Sequence, residues 1–305
     1  MCGIAGLFAK SDSVSGALGA HLADMLIQLN DRGPDSAGAA IYGADLGDGA
    51  VKLSVLDPAS PRDWTPIAAS VGSVGATELT RSLGDQALLT VEADADVVRA
   101  WMAEHHPDLI VLSVGHAIET YKRAGAVGAP GGLIETAGLR SLTGGHALGH
   151  TRMATESRVT TEHSHPFSTG TDLCLVHNGS LCNHNRLRRT LQRRGVSFAT
   201  DNDSEVAAGY LTWRFREGDD LQAALEAAER DLDGFFTFAI GTRDGFAVMR
   251  DPVGCKPAVL AETDDWVAMA SEFRAIATLP GVEDAHVWEP EPGQIYRWSR
   301  AAVAV

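Results

Sequence analysis

The chain has no closely spaced cysteine pair. Its four cysteines, Cys2, Cys174, Cys182 and Cys255, include no Cys-x-x-Cys, which argues against a zinc ribbon, an iron–sulfur array and a small disulfide framework. No apolar run approaches the roughly 18 residues that cross a bilayer. The longest candidates, such as Leu109-Ile110-Val111-Leu112, suit core strands. No basic segment precedes the apolar start, so no secretory leader is expected and the cytoplasm is the expected compartment. Positive charge is also scarce: 25 Lys and Arg stand against 40 Asp and Glu, a net −15. That balance disfavours nucleic acid or an anionic membrane as a partner. The glycines form no dinucleotide-binding fingerprint.

What is present is the composition of an ordinary globular protein, 45% apolar and 21% charged over 305 residues, enough for a sizeable core. Leu18, Leu22, Leu26 and Leu29 recur at helical spacing and predict a helix ending before Asn30. Asn183 is placed to cap a helix running to Arg194, with Leu187 and Leu191 inward. Further helices are expected from Asp203 or Ser204 toward Phe215 and from Leu221 to Leu232. Strands are expected at Phe235–Ile240, Phe246–Arg250, Ala258–Ala261 and Trp266–Ala270. Helices grouped between blocks of strands favour an α+β layered fold over a doubly wound parallel sheet. The tract from Gly43 to Gly145 differs, with Pro- and Gly-containing links around a strand-helix-strand pattern (Ala87–Val91, Asp94–Glu104, Leu109–Val114). It reads as an elaboration inserted into a core built from both ends of the chain.

Chemistry concentrates in short motifs. Removal of Met1 would make Cys2 the first residue, placing a thiol beside an α-amine that titrates near ~8 and can serve as its base. By itself Cys2 reads more readily as a small buried hydrophobe. Arg32-Gly33-Pro34-Asp35-Ser36-Ala37-Gly38 is a turn signal carrying an arginine. Gly149-His150-Thr151-Arg152 offers a guanidinium fork suited to a carboxylate. His163 and His165, with His146, His150, His177 and His184, invite a metal, but no acidic or thiol set completes ligand spacing, so none is expected. His177-Asn178-Gly179 is either a tight turn or a pair of donors, the Asn178 amide and the Gly179 N–H, for a developing oxyanion. Asp203, in Asp201-Asn202-Asp203-Ser204-Glu205, is a helix-start carboxylate able to hold an ammonium. Arg250-Asp251-Pro252-Val253-Gly254-Cys255-Lys256-Pro257 and Ala270-Ser271-Glu272 are turns able to line a pocket. Arg186, Arg188, Arg189, Arg193 and Arg194 lie on one predicted helix; such runs are mostly solvated faces, with acidic-partner docking the alternative.

In this order the motifs resemble the class II glutamine amidotransferases, a group of N-terminal-nucleophile hydrolases. The resemblance frames the chain from Cys2 to about Pro292 and leaves the inserted tract outside it. It implies a four-layer αββα sandwich, with a glutamine amidotransferase domain over 2–305 and an inserted subdomain over 44–144. It also implies Cys2 as nucleophile, Arg32 beside it, and Asn178 with Gly179 as the oxyanion hole. Arg152 and Asp203 would grip the glutamine α-carboxylate and α-ammonium. Glutamine would be hydrolysed through a γ-glutamyl thioester.

The chain as given stops at Val305, soon after these motifs, so a stand-alone glutaminase subunit is expected. Variants such as Arg-Met-Ala-Thr-Glu-Ser (Arg152 to Ser157), His-Ser-His-Pro-Phe and Trp-Glu-Pro-Glu-Pro-Gly resemble the subunit of N-methylglutamate synthase and glutamate-synthase-like complexes. The resemblance implies no cofactor in this chain, and a partner synthase subunit resembling the FMN domain of glutamate synthase, with FMN and iron–sulfur centres as the cofactors of that partner. An amidase acting on another γ-glutamyl compound, and a non-catalytic subunit of the same fold, are the alternatives.

Overall fold

The computed structural model describes residues 2–59, 61–154 and 159–300. In chain order the first strands are β1 (Gly3–Ala9), β2 (Ser36–Tyr42), β3 (Val51–Leu56), β4 (Thr77–Ser82), β5 (Gln86–Val91), β6 (Ile110–Gly115), β7 (Ile118–Ala124) and β8 (His146–Arg152). Then come β9 (Phe167–Gly170), β10 (Leu173–Leu181), β11 (Gly234–Thr242), β12 (Gly245–Arg250), β13 (Val259–Glu262), β14 (Trp266–Ala270), β15 (His286–Trp288) and β16 (Ile295–Ser299). They form a seven-stranded sheet in the order β15-β13-β14-β1-β8-β2-β7 and a five-stranded sheet in the order β16-β12-β11-β10-β9. A third sheet has the order β4-β5-β3-β6.

Strand alternation builds the layers. On β1, Ala5, Leu7 and Ala9 face a core shared with Leu18, Leu22, Met25 and Leu26 of the helix Leu18–Gln28. Ile4 and Phe8 point the other way, into a core shared with Val176, Ala239, Phe246 and Val248 of the five-stranded sheet. That sheet's opposite face, with Leu175, Phe236 and Phe238, is covered by helices His184–Arg193, Asp203–Arg216 and Leu221–Asp231. The result is helix, sheet, sheet, helix, the αββα sandwich of the N-terminal-nucleophile type. Full burial of one such Leu or Phe contributes roughly 1.5–3 kcal/mol.

The helices and strands expected toward the C-terminal half lie where the periodicity placed them, within two residues. One capping detail differs. The Asn183 side chain makes no capping bond; its amide donates to Asp231 O at 2.8 Å and its oxygen accepts from the Asp233 N–H at 3.2 Å, tying two turns together. Asn202, in extended conformation, caps the next helix through the Ser204 N–H.

Within the 44–144 tract, residues from Val51 to Gly115 build the third sheet and its own core, in which Trp64, Val98 and Met102 pack on Leu53, Val55 and Leu89. Strands β3 and β4 carried no signal recognised in the sequence. Strand β7 returns to the seven-stranded sheet beside β2, and Leu133, Ala137 and Leu139 join the core under the helix Leu18–Gln28. A polar seam joins the third sheet to β7: Lys52 Nζ to Glu119 at 2.7 Å, the Thr120 N–H to Ser54 Oγ at 3.1 Å, and the Lys122 N–H to Gln86 Oε1 at 3.1 Å. Among the described residues no helix is long and apolar enough to cross a membrane.

Candidate active site

Side-chain alternation brings three sequence-selected residues to one end of the space between the two large sheets. On β8, Leu148 faces that space while Ala147 faces the helices, so His150 and Arg152 face it too. On β10, Cys174 and Val176 face it, and Asn178 follows in phase. Cys2 precedes β1 in phase with Ile4. The pairing of Gly3 with Thr151 sets Cys2 beside the end of β8.

The backbone of Cys2 is held from two sides. Arg32 Nε donates to its carbonyl at 2.9 Å and Asn178 Nδ2 donates to the same oxygen at 3.3 Å. The thiol is 3.8 Å from the Met153 carbonyl and partly exposed. Arg152 is buried; desolvation draws its pKa down, while the proximity of Cys2 and Asp35 opposes that shift.

The motif 32–38 explains how Arg32 reaches Cys2. A 3-10 turn, Asn30–Arg32, ends at Gly33, whose backbone lies so close to Thr151 and Arg152 that a Cβ there would clash with both. Pro34 then bridges to Arg152, and the Asp35 N–H donates to the Arg152 carbonyl at 3.1 Å. The Asp35 carboxylate accepts the Ala154 N–H at 2.8 Å, holding the segment that follows β8.

Gly179 has φ +152°, and a side chain there would drive into the Phe235 carbonyl of the neighbouring strand. Only glycine suits this strand end. His177 faces the opposite side of β10, with Nδ1 2.8 Å from Ser204 Oγ and 3.8 Å from Asp203 Oδ1. Burial lowers its pKa, against the opposing pull of Asp203. Asp203 accepts the Leu181 N–H at 2.8 Å, which fixes the start of its helix to the end of β10, two residues past Gly179.

Cys2, Arg32 and Asn178 therefore meet directly, Arg152 lies near enough to Cys2 to be influenced by it electrostatically, and Gly179 and Asp203 are tied in through β10. Asp35, His177, Ser204, Ser271 and Glu272, which the sequence offered only as members of motifs and without individual roles, also contribute, each through the bond it makes. The Arg250 motif is a built turn, with Arg250 donating to the Pro290 and Gly254 carbonyls and Asp251 accepting from Phe236, Val253 and Gly254 N–H groups. No group of three or more His, Cys, Asp or Glu among the described residues could hold a metal. His165 instead stacks on His150 at 4.0 Å, and His150 Nε2 donates to the His177 carbonyl at 3.0 Å. Burial brings the His150 pKa down to about 3 and puts that of His165 well below its usual value. Met1, and Thr155 to Ser157 of the Arg-Met-Ala-Thr-Glu-Ser variant, lie outside the described residues.

Residues 150–278 match a family described as a glutamine amidotransferase domain. The chain is 48% identical over 306 residues to the glutamine amidotransferase-like protein GlxB of Rhizobium meliloti, with 100% of both chains covered. It is 34% identical to a protein of Methanothermobacter thermautotrophicus provisionally named a glutamine amidotransferase, covering 97% of this chain and 98% of that one. Among solved structures it is similar to the glutamine phosphoribosylpyrophosphate amidotransferase of B. subtilis, with TM-score 0.63 at 20% identity. That likeness is one of fold; it covers 98% of this chain and 48% of the other.

Proposed function

This chain belongs to the glutamine amidotransferase family, and we propose that it hydrolyses glutamine to glutamate and ammonia through Cys2. The observation that carries the reading is the start of β1: Cys2 has its carbonyl held by Arg32 and Asn178, and its partly exposed thiol lies 3.8 Å from the carbonyl of Met153, the residue after buried Arg152. An amino acid with a charged head and a side-chain amide fits such a site.

In this reading Met1 is removed and the Cys2 α-amine takes the thiol proton. Sulfur bonds to the amide carbon, and the oxyanion is met by the Gly179 N–H and the second N–H of Asn178. The proton passes to the amide nitrogen, the C–N bond breaks and ammonia leaves. Water then attacks the thioester, the C–S bond breaks, and the thiol is restored as glutamate departs. Arg152 pairs with the α-carboxylate and Asp203 with the α-ammonium.

Ammonia at neutral pH is mostly protonated and a poor nucleophile, so the chain is assigned to a cytoplasmic complex with a synthase subunit. The proposed partner resembles the FMN domain of glutamate synthase, as in N-methylglutamate synthase, with FMN and iron–sulfur centres in that subunit. The third sheet, residues 51–115, is proposed as an inserted module that docks it.

The test is glutamate release from glutamine by the purified protein, with intact-mass analysis of the N-terminus. Cys2→Ala should abolish release and keep the native circular dichroism. Turnover by Cys2→Ala, or by protein retaining Met1, would overturn the assignment.

A further inference from the structure

Strand β14 ends at Ala270, and the next two residues clamp the start of β1. The Ile4 N–H donates to Ser271 Oγ at 2.9 Å, and the Ser271 N–H donates to the Ile4 carbonyl at 3.0 Å. Glu272 reaches one step further. Its Oε1 accepts from Arg32 Nη1, and its Oε2 accepts from Arg274 Nε at 2.6 Å. Arg32 then donates from Nε to the Cys2 carbonyl at 2.9 Å. Both carboxylate oxygens are thus engaged, and the Arg32 fork is fixed along the edge that carries Nε and Nη1. Charge-assisted bonds of this kind are directional as well as strong. Arg32 Nη2 is buried and has no hydrogen-bond partner among the described residues, so Glu272 and the Cys2 carbonyl alone set the plane of the guanidinium.

We infer that Glu272 is a positioning residue for the Cys2 nucleophile, acting through Arg32 to hold the Cys2 backbone and so to aim the thiol. The inference rests on the glutaminase reading for its catalytic meaning, but not for its geometry. Glu272 is bonded to the two arginines and not to Cys2, and it belongs to none of the groups assigned to the substrate head. Its loss should therefore leave glutamine binding alone and impair the attack. A misplacement on the order of 1 Å in a reacting group typically costs about 100-fold in rate.

Glu272→Gln keeps the shape and removes the charge. The expected result is a kcat lowered roughly 10- to 100-fold with KM within about twofold, and partial recovery in Glu272→Asp. A second measurement does not need glutamine: alkylation of Cys2 by iodoacetamide, read from the mass of the N-terminal peptide. A loosened Cys2 should alkylate roughly threefold faster in Glu272→Gln, because a thiol reacts according to its exposure. The exposed thiols of Cys182 and Cys255 serve as internal controls and should label at the wild-type rate. Slower turnover together with faster Cys2 labelling supports the role. Unchanged kcat, or unchanged Cys2 labelling, overturns it, as does a kcat loss that only follows loss of folded protein. If the wild type hydrolyses no glutamine, the glutaminase reading fails, and the labelling comparison still decides the geometry.

Discussion

Two partly buried polar regions of this molecule join pieces of chain far apart in sequence, and they use their charges differently. At the seam between the third sheet and β7, charge meets charge: Lys52 pairs with Glu119 and Arg123 with Asp85. Around Cys2, Arg32 divides its donors between the Glu272 carboxylate and the Cys2 carbonyl and bonding capacity is left over, with Nη2 buried and unpartnered among the described residues. Neutralised charge suits a permanent joint, because leaving one partner of a buried pair alone is costly. Spare donors suit a ligand that comes and goes. The two regions should accordingly respond to mutation in different observables.

The largest effect is expected at the two residues proposed to grip the substrate head. On that proposal Arg152→Ala or Asp203→Asn would leave a substrate charge unpaired, worth ~2–5 kcal/mol, and should raise the glutamine KM with the melting temperature little changed. Wild-type kinetics in both variants would remove them from the site. Asn178→Ala should act on turnover instead, lowering kcat by roughly 100- to 1000-fold, as for loss of an oxyanion donor; a pure KM effect would contradict that role. Lys52→Met is the opposite probe. It strands Glu119 in the seam and should cost about 3 kcal/mol in denaturant stability, while kcat per folded molecule stays at the wild-type value. A matching loss of kcat would mean that seam and site are one unit.

The smallest effect is expected on the arginine-rich helix. Arg188 donates to the Thr200 and Asn202 carbonyls, and Arg194 lies over the Trp213 ring at 4.3 Å, so two of the five arginines serve the fold. Arg189→Glu with Arg193→Glu should change stability by no more than about 0.5 kcal/mol, measured by urea unfolding. A larger loss would show that these two also carry the fold.

The sandwich was legible because its long elements alternate at periods of two and 3.6. Leu18 to Leu29, Leu187 with Leu191, and the strands from Phe235 to Ala270 all signal which face is buried. Strand β4 is half-exposed along its length and strand β3 follows a Gly-rich link, so neither stood out. The candidate site stood out as motifs because glycine at 33 and 179, and arginine at 32 and 152, are chemically distinctive. The bonds of Glu272 and Asp35 were not legible, since an isolated carboxylate acquires its meaning only when the chain closes on itself.

The imidazoles between the sheets make the protein a proton absorber once it opens. His146 donates from Nε2 to the Thr242 carbonyl and stacks on Tyr42; burial holds both it and His150 down to about 3, and His165 well below its usual value. Released into water, each regains an ordinary value near ~6.5. Between that value and about 3 the unfolded chain binds more protons than the folded one. Stability is therefore complete above pH ~6.5 and drains away as the medium acidifies, by roughly 1.4 kcal/mol per pH unit for each histidine. His146→Gln should flatten the decline of the urea midpoint between pH ~7 and ~5. Three uncharged rings packed between the sheets thus tie the stability of the sandwich to a medium that leaves them neutral.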